Sequence, residues 1–456
     1  MDGSTPPHEA AASPTAQLAR HLIAMRGAPP APEAVTVAKQ CLLDWLGVTL
    51  AARREPLVGI LAEELEPSNE MGACTLIGLG RKASLMNAAL INGAAGHALD
   101  FDDVITAMGH PTAPVAPAVI ALGELLGASG AKVVEAFIVG LEAECRIGRL
   151  LGPSHYAKGW HGTATFGSFG AAAACAHLLD LDEAHLLHAL GVAGTQAAGL
   201  KSVFGTMSKP LHAGKAAQNG LLAARLAARG FTSDTDILGS SQGFAATQST
   251  TVSVEAGLED RPLPWVVDAL FKFHAACYLT HNSIEATNAL RAEERLSPDE
   301  VETILIQVQP MHLGVCNIEA PRTGLECKFS LRMTSAMALS GDDTFDEALF
   351  SDATAARPDL VALCKRISVE PNSPTAGSAV TIRLKDGRAF SRTVDVAIPE
   401  TNLSAQQDKL ERKFRHLARN GLDPKAVDEI VKITRTLERE PDLSRLLRAC
   451  SEAIGA

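Results

Sequence analysis

Between Thr15 and Ala269 apolar residues recur at helical spacing, broken only by short Gly- and Pro-containing segments. An amphipathic stretch opens at Gln17-Leu18-Ala19-Arg20-His21-Leu22-Ile23. After Ala28-Pro29-Pro30 the pattern resumes from Val35 to Ala51, with Val37, Cys41, Leu42, Trp45 and Val48 near helical positions. Ala83 to Ala98, Thr163 to Leu181, Glu183 to Leu200 and Pro210 to Arg229 are rich in Ala and Gly, which predicts buried helices that approach one another closely. Cys74-Thr75-Leu76-Ile77-Gly78 is the one strand-like stretch in this region.

The texture changes near Lys272. Glu302 to Gln309 reads as a strand, and Ala379 to Leu384 leads through Asp386-Gly387 into Ala389 to Val396. Alternating residues around a central Asp-Gly predict a β-hairpin. Helices are expected between these strands, at Thr280 to Arg295 and Ser330 to Leu339. From Ser404 the amphipathic helical pattern returns, with Leu410, Phe414 and Leu417 as a buried stripe. The fold class expected is therefore mainly α: a large all-α helical domain (residues 15–270 with 404–456) and a smaller α+β domain (271–403). Residues 1–14 are rich in Pro, Ala and Ser and read as a disordered tail rather than a signal peptide.

Composition narrows the function classes. Net charge is −11, aromatic content is 4%, and no Lys/Arg-rich run is present, which argues against nucleic acid as a partner. No window approaches the ~18 uninterrupted apolar residues of a membrane span. The nine cysteines are scattered without a C-x-x-C pair, which favours a reducing, cytoplasmic location and no zinc cluster.

Charge is concentrated in His97-Ala98-Leu99-Asp100-Phe101-Asp102-Asp103-Val104 and the following Gly109-His110-Pro111. If this segment is helical, Asp100 and Asp103 share a face, and one of the two could hold a raised pKa; capping of a helix is the structural alternative. Trp160-His161-Gly162-Thr163 places a His just before a helix start, where backbone N–H groups can hold an anion. Lys209, in Met207-Ser208-Lys209-Pro210-Leu211-His212, lies at a helix N-terminus against the dipole, a local cost that an anion would offset. Phe271-Lys272-Phe273-His274-Ala275-Ala276-Cys277-Tyr278, with His281 beyond it, is a second cationic arrangement. Gly239-Ser240-Ser241-Gln242-Gly243 fits a nucleophile elbow in letters only, because no buried strand precedes it. No cluster has metal-ligand spacing, and no nucleotide loop is present.

Taken together these segments resemble the MmgE/PrpD family, which includes 2-methylcitrate dehydratase, cis-aconitate decarboxylase and iminodisuccinate epimerase. The matching stretches are Asn92-Gly93 with His97 to Asp103, Gly109-His110-Pro111, His161 to Gly167, Lys209 to Ala217, Lys272 with Thr280-His281, and Glu326 to Ser330. The resemblance implies a large all-α domain, a smaller α+β lid domain, an active site between them and a homodimer. By position, Asp100, His110, His161, Lys209 and Lys272 match residues of the decarboxylase pocket, and Asp103, His212, Cys277 and His281 are expected to bind substrate. Two positions depart from that pattern: Val104 stands where the decarboxylase has Thr, and Cys277 where it has His. Cys316 falls near the place of a pocket Tyr.

Two lysines, two histidines and an aspartate supply acid, base and carboxylate anchors without metal or organic cofactor. The expected activity is that of a cofactor-independent lyase on a small di- or tricarboxylate, of dehydratase type, with decarboxylation as a variant. The alternatives are an epimerase of an iminodisuccinate-like acid and a non-catalytic carboxylate-binding protein. His161 is expected to transfer the proton, because imidazole titrates near working pH.

Overall fold

A computed structural model describes residues 13–66, 72–373, 376–419 and 421–451. The proposed tail lies outside the described residues up to residue 12. Ser13 and Pro14 within it are ordered instead: the Ser13 hydroxyl caps the first helix, and Pro14 opens it. The protein is mainly α with a small sheet region. It forms two compact units, Met1–Phe271 with Asn402–Ala456 and Lys272–Thr401.

Unit 1 is built from α1 (Pro14–Ala24), α2 (Pro32–Ala51), α3 (Leu85–His97), α4 (Thr112–Leu126), α5 (Gly130–Leu151), α6 (Gly162–Leu178), α7 (Glu183–Gln196) and α8 (Ser208–Ala227). α2 is long and apolar enough to cross a membrane, yet most of it is buried within the protein, with Leu42, Leu43, Trp45 and Leu46 fully covered. Every residue of α6 is buried, so its Ala/Gly composition is a packing requirement rather than a propensity effect. α6 packs against α4, α5 and α8, and α8 also packs along α3. α3 and α8 meet closely at Gly93 and Gly214, where a Cβ added to Gly93 would lie 2.8 Å from the opposing Cα. That contact draws α3 onto α8, and the same helices carry His97 at the end of α3 and Lys209 at the start of α8. The strand expected at Cys74 is Cys74–Leu76, and it pairs antiparallel with Arg81–Ala83, a partner too short and polar to stand out in the sequence.

Unit 2 holds α9 (Tyr278–Glu294), α10 (Leu331–Ser340) and a four-stranded sheet: β1 (Val301–Gln307), β2 (Ile367–Glu370), β3 (Ser378–Leu384) and β4 (Ala389–Val394). The strand order is β2-β1-β3-β4, with β1 and β2 parallel and the other pairs antiparallel. Val301, Ile304 and Ile306 of β1 and Val380, Ile382 and Leu384 of β3 are buried, and α9 packs on β3 and β4. The Asp386-Gly387 hairpin forms as its sequence requires, with Gly387 at φ +90°.

The chain then returns to unit 1 through α11 (Leu403–Ala418) and α12 (Pro424–Arg435). Leu410, Phe414 and Leu417 are buried, and Gly47 of α2 allows Phe414 and Leu417 to sit close.

Candidate active site

The charged segment after α3 is a loop rather than a helix. α3 ends at His97, and Asp100 turns the chain with a left-handed φ of +51°. Asp100 and Asp103 therefore do not share a helical face. Asp102 faces the two imidazoles instead: His97 Nδ1 lies 3.0 Å from both of its carboxylate oxygens, and His110 Nδ1 lies 3.1 Å from Oδ2. The latter contact is short enough for an ion pair but lies off the hydrogen-bond direction. His110 donates its backbone N–H to Thr163 Oγ1 at 3.1 Å, which ties the loop to the first turn of α6.

Asp100 closes the group from the other side. Its Oδ1 lies 3.3 Å from His110 Nε2 and 3.0 Å from Lys209 Nζ. Lys209, in the first turn of α8, thus has the anion that its position against the helix dipole calls for. His161 precedes α6 without capping it; its Nδ1 lies 3.1 Å from His212 Nδ1 on α8, so one ring donates and the other accepts. His97 stacks on His161 with ring centroids 5.9 Å apart, and Phe204 packs edge-on to His161 at 5.0 Å. The converging ends of α3, α6 and α8 thereby gather His97, Asp100, Asp102, His110, His161, Lys209 and His212.

Burial sets the protonation states. Taking Asp102 out of water would raise its pKa, but His97 and His110 outweigh that, and the carboxyl is held well below its ordinary range. Burial pushes His97 down to about 4, against the pull of Asp102. His161, expected to titrate near neutrality, does not. Burial first, then His97, Lys209, His110 and His212, push it down to about 2, so it is a neutral imidazole throughout the working range. Such a ring suits hydrogen bonding to a developing negative charge better than proton uptake.

Asp103, expected to bind substrate, points away from this group. It is buried, and its Oδ2 accepts from Thr112 Oγ1 at 2.7 Å. Burial raises its pKa to about 7 despite the Thr112 bond, with Asp44 and Asp102 adding to the rise. The linkage sign follows: the folded state holds a proton that the unfolded chain releases near pH 4. Asp103 therefore subtracts stability progressively from about pH 4 to about pH 7, by roughly 1.4 kcal/mol per pH unit. Relative to Asp103→Asn, the wild type should lose unfolding midpoint steadily across that interval in denaturant titrations. Parallel pH curves for the two proteins would show that the carboxyl is already ionised.

The remaining expected residues belong to unit 2. Lys272 opens it and is only 6% exposed. Cys277 is half-buried just before α9. His281 Nε2 lies 3.2 Å from the Ala276 carbonyl, and its ring packs against His274 and Tyr278, so it fastens the start of α9. Buried His274 bridges Thr344 Oγ1 at 2.8 Å and Glu285 Oε1 at 3.2 Å.

Three residues of the unit 1 site were not singled out from sequence: His97, Asp102 and Lys413. His97 and Asp102 lie inside the segment that drew attention, but their pairing depends on the left-handed turn at Asp100. Lys413 of α11 is fully buried. Its Nζ contacts Asp44 Oδ1 at 2.6 Å, donates to the Phe101 carbonyl at 2.7 Å and lies 4.0 Å above the Phe101 ring. It braces the charged loop from more than 300 residues away in the chain. The folded loop also creates a metal-capable group that no sequence spacing announces. His97, Asp100, Asp102 and His110 each offer a ligand atom, all within 4.8 Å of one another. The Lys209 ammonium already stands against Asp100 there as the local cation.

The sequence of these two units matches a known protein class. The MmgE/PrpD N-terminal domain profile matches residues 16–256, and the MmgE/PrpD C-terminal domain profile matches residues 274–439. The chain belongs to the MmgE/PrpD family. Among its relatives is the human cis-aconitate decarboxylase, 30% identical over 391 residues, covering 79% of this chain and 78% of that protein. The cis-aconitate decarboxylase of Aspergillus terreus is 29% identical over 450 residues, covering 90% of each. A cis-aconitate decarboxylase-like protein of Aspergillus oryzae is 27% identical over 451 residues, covering 91% of this chain and 92% of the relative.

Proposed function

We propose that this protein is a cofactor-independent lyase of a small di- or tricarboxylate, and that His110 moves the proton. The observation that carries the reading is the buried, ionised Asp102 behind His110, with Lys209 and Asp100 on the far side of the ring. The Asp102 charge, 3.1 Å from Nδ1, can stabilise the imidazolium formed during turnover, leaving Nε2 to give or take a proton. Lys209 supplies a cation for a substrate carboxylate, which would displace Asp100 as its partner. The ring that accepts at Nδ1 in the His161–His212 bond carries its proton on Nε2 and can donate it to a second carboxylate. Lys272 is the further cation the family resemblance contributes.

Among lyase reactions, decarboxylation has the stronger support, because the relatives above carry that activity in their names. This reverses the preference for dehydration drawn from sequence alone. In the decarboxylation of an unsaturated tricarboxylate, the C–C bond to one carboxylate breaks and carbon dioxide leaves. The electron pair of that bond becomes a new double bond to the central carbon, the old π pair moves to the far carbon of the original double bond, and the His110 proton is added there. Dehydration is the second reading, because Val104 lacks the hydroxyl of the Thr that the decarboxylase pattern has at this position.

Proton NMR in deuterium oxide tests the proposal, using chelator-treated protein and a panel that includes cis-aconitate, citrate and 2-methylcitrate. The expected result is loss of carbon dioxide or water at an undiminished rate after chelation. Deuterium uptake without net conversion would indicate an epimerase. Activity that chelation abolishes and one divalent metal restores would place an ion in the His97–Asp102 group.

A further inference from the structure

Two cysteines in unit 2 that the proposed chemistry does not use lie side by side. Cys277 donates its backbone N–H to the Lys328 carbonyl at 2.9 Å, and the Cys316 carbonyl accepts from the Leu331 N–H, also at 2.9 Å. The short segment 328–331 therefore anchors two points that are far apart in sequence. Their thiols lie within interaction range of each other across the junction. Cys316 is buried, with Sγ 3.4 Å from the His312 carbonyl. Cys277 is half-buried, whereas the other eight cysteines are buried. The pair thus has one sulfur that a small oxidant can reach and one held directly behind it.

We propose that Cys277 and Cys316 form a reversible disulfide in response to hydroperoxides. The Cys277 sulfur attacks the peroxide oxygen, breaking the O–O bond, and becomes a sulfenic acid as the first water leaves. The Cys316 sulfur then attacks Cys277, forming the S–S bond and releasing the sulfenic oxygen as the second water. Two thiols and one hydrogen peroxide give one disulfide and two waters, and a dithiol reductant reverses the change. The order of attack follows from access: Cys277 is half-buried and Cys316 is buried, so an oxidant meets the Cys277 sulfur first. Closure would tie the start of α9, five residues beyond Lys272, to the segment around Cys316.

The test is peptide mass spectrometry of the full-length protein after limited hydrogen peroxide and then alkylation, with no activity assay needed. The expected product is one linked peptide pair containing Cys277 and Cys316, lacking two hydrogens and restored by dithiothreitol, with the other seven cysteines alkylated. In Cys316→Ser, Cys277 should stop at a sulfenic acid that dimedone traps; in Cys277→Ser, no link should form. A wild-type protein in which Cys277 stays reduced, proceeds to sulfinic acid, or links to a different cysteine overturns the proposal.

Discussion

Asp102→Asn should lower kcat by about 10²- to 10⁴-fold while leaving KM near its wild-type value. The asparagine oxygen can still accept from His97 Nδ1, but its amide NH2 then faces His110 Nδ1. The imidazolium that forms on His110 during turnover then loses the charge that stabilises it, so proton transfer at Nε2 slows whichever lyase reaction is catalysed. A rise in KM with kcat unchanged would instead place Asp102 in binding. Near wild-type kinetics would remove the Asp102–His110 pair from the chemistry. Because Asp102 is fully buried, the thermal midpoint of the variant should be measured alongside, so that lost protein is not read as lost turnover.

The largest stability effect is expected at Lys413. Lys413→Met removes the cation from a buried Asp44 carboxylate and the donor from the Phe101 carbonyl. Breaking a buried pair in this way costs about 3–5 kcal/mol, mostly from the charge left behind. The double variant Asp44→Asn with Lys413→Met should recover much of that loss, since no uncompensated charge remains. Denaturant unfolding of the two variants measures the difference. A single variant within about 1 kcal/mol of the wild type would mean that Asp44 is neutral or that water reaches it. Since Phe101 lies between Asp100 and Asp102, the single variant should also lose turnover through displacement of the loop.

The parts of the fold that were legible in the sequence are those set by local rules. The β3–β4 hairpin is readable because Asp-Gly selects one turn, and α6 because it is a long run dominated by Ala, Gly and other small residues. β2 is not, because four residues with one polar face carry too little alternation to separate them from a loop. The site divides in the same way. His161, Lys209 and His212 stand out beside helix starts and His110 within the charge-rich segment, and the structure gathers all four. The charged loop was read with a period of three, pairing Asp100 with Asp103. The left-handed turn at Asp100 sets a period of two, which brings Asp100 and Asp102 to His110 and sends Asp103 toward Thr112. His161 was assigned a near-neutral pKa because its burial and its cationic neighbours come from α3 and α8, and no local sequence states that. Lys413 lay beyond reach for the same reason.

The most direct test of the central claim, that a polycarboxylate binds at the unit 1 histidine–lysine group, is calorimetry with tricarballylate, a saturated tricarboxylate with no double bond to react. A single charged contact is worth roughly 1.5–3 kcal/mol, so Lys209→Ala should weaken Kd by about 10- to 100-fold. Asp102→Asn, which leaves Lys209 and Asp100 in place, should bind with nearly the wild-type Kd. Equal Kd values for the wild type and Lys209→Ala would contradict the account and move substrate binding away from this group.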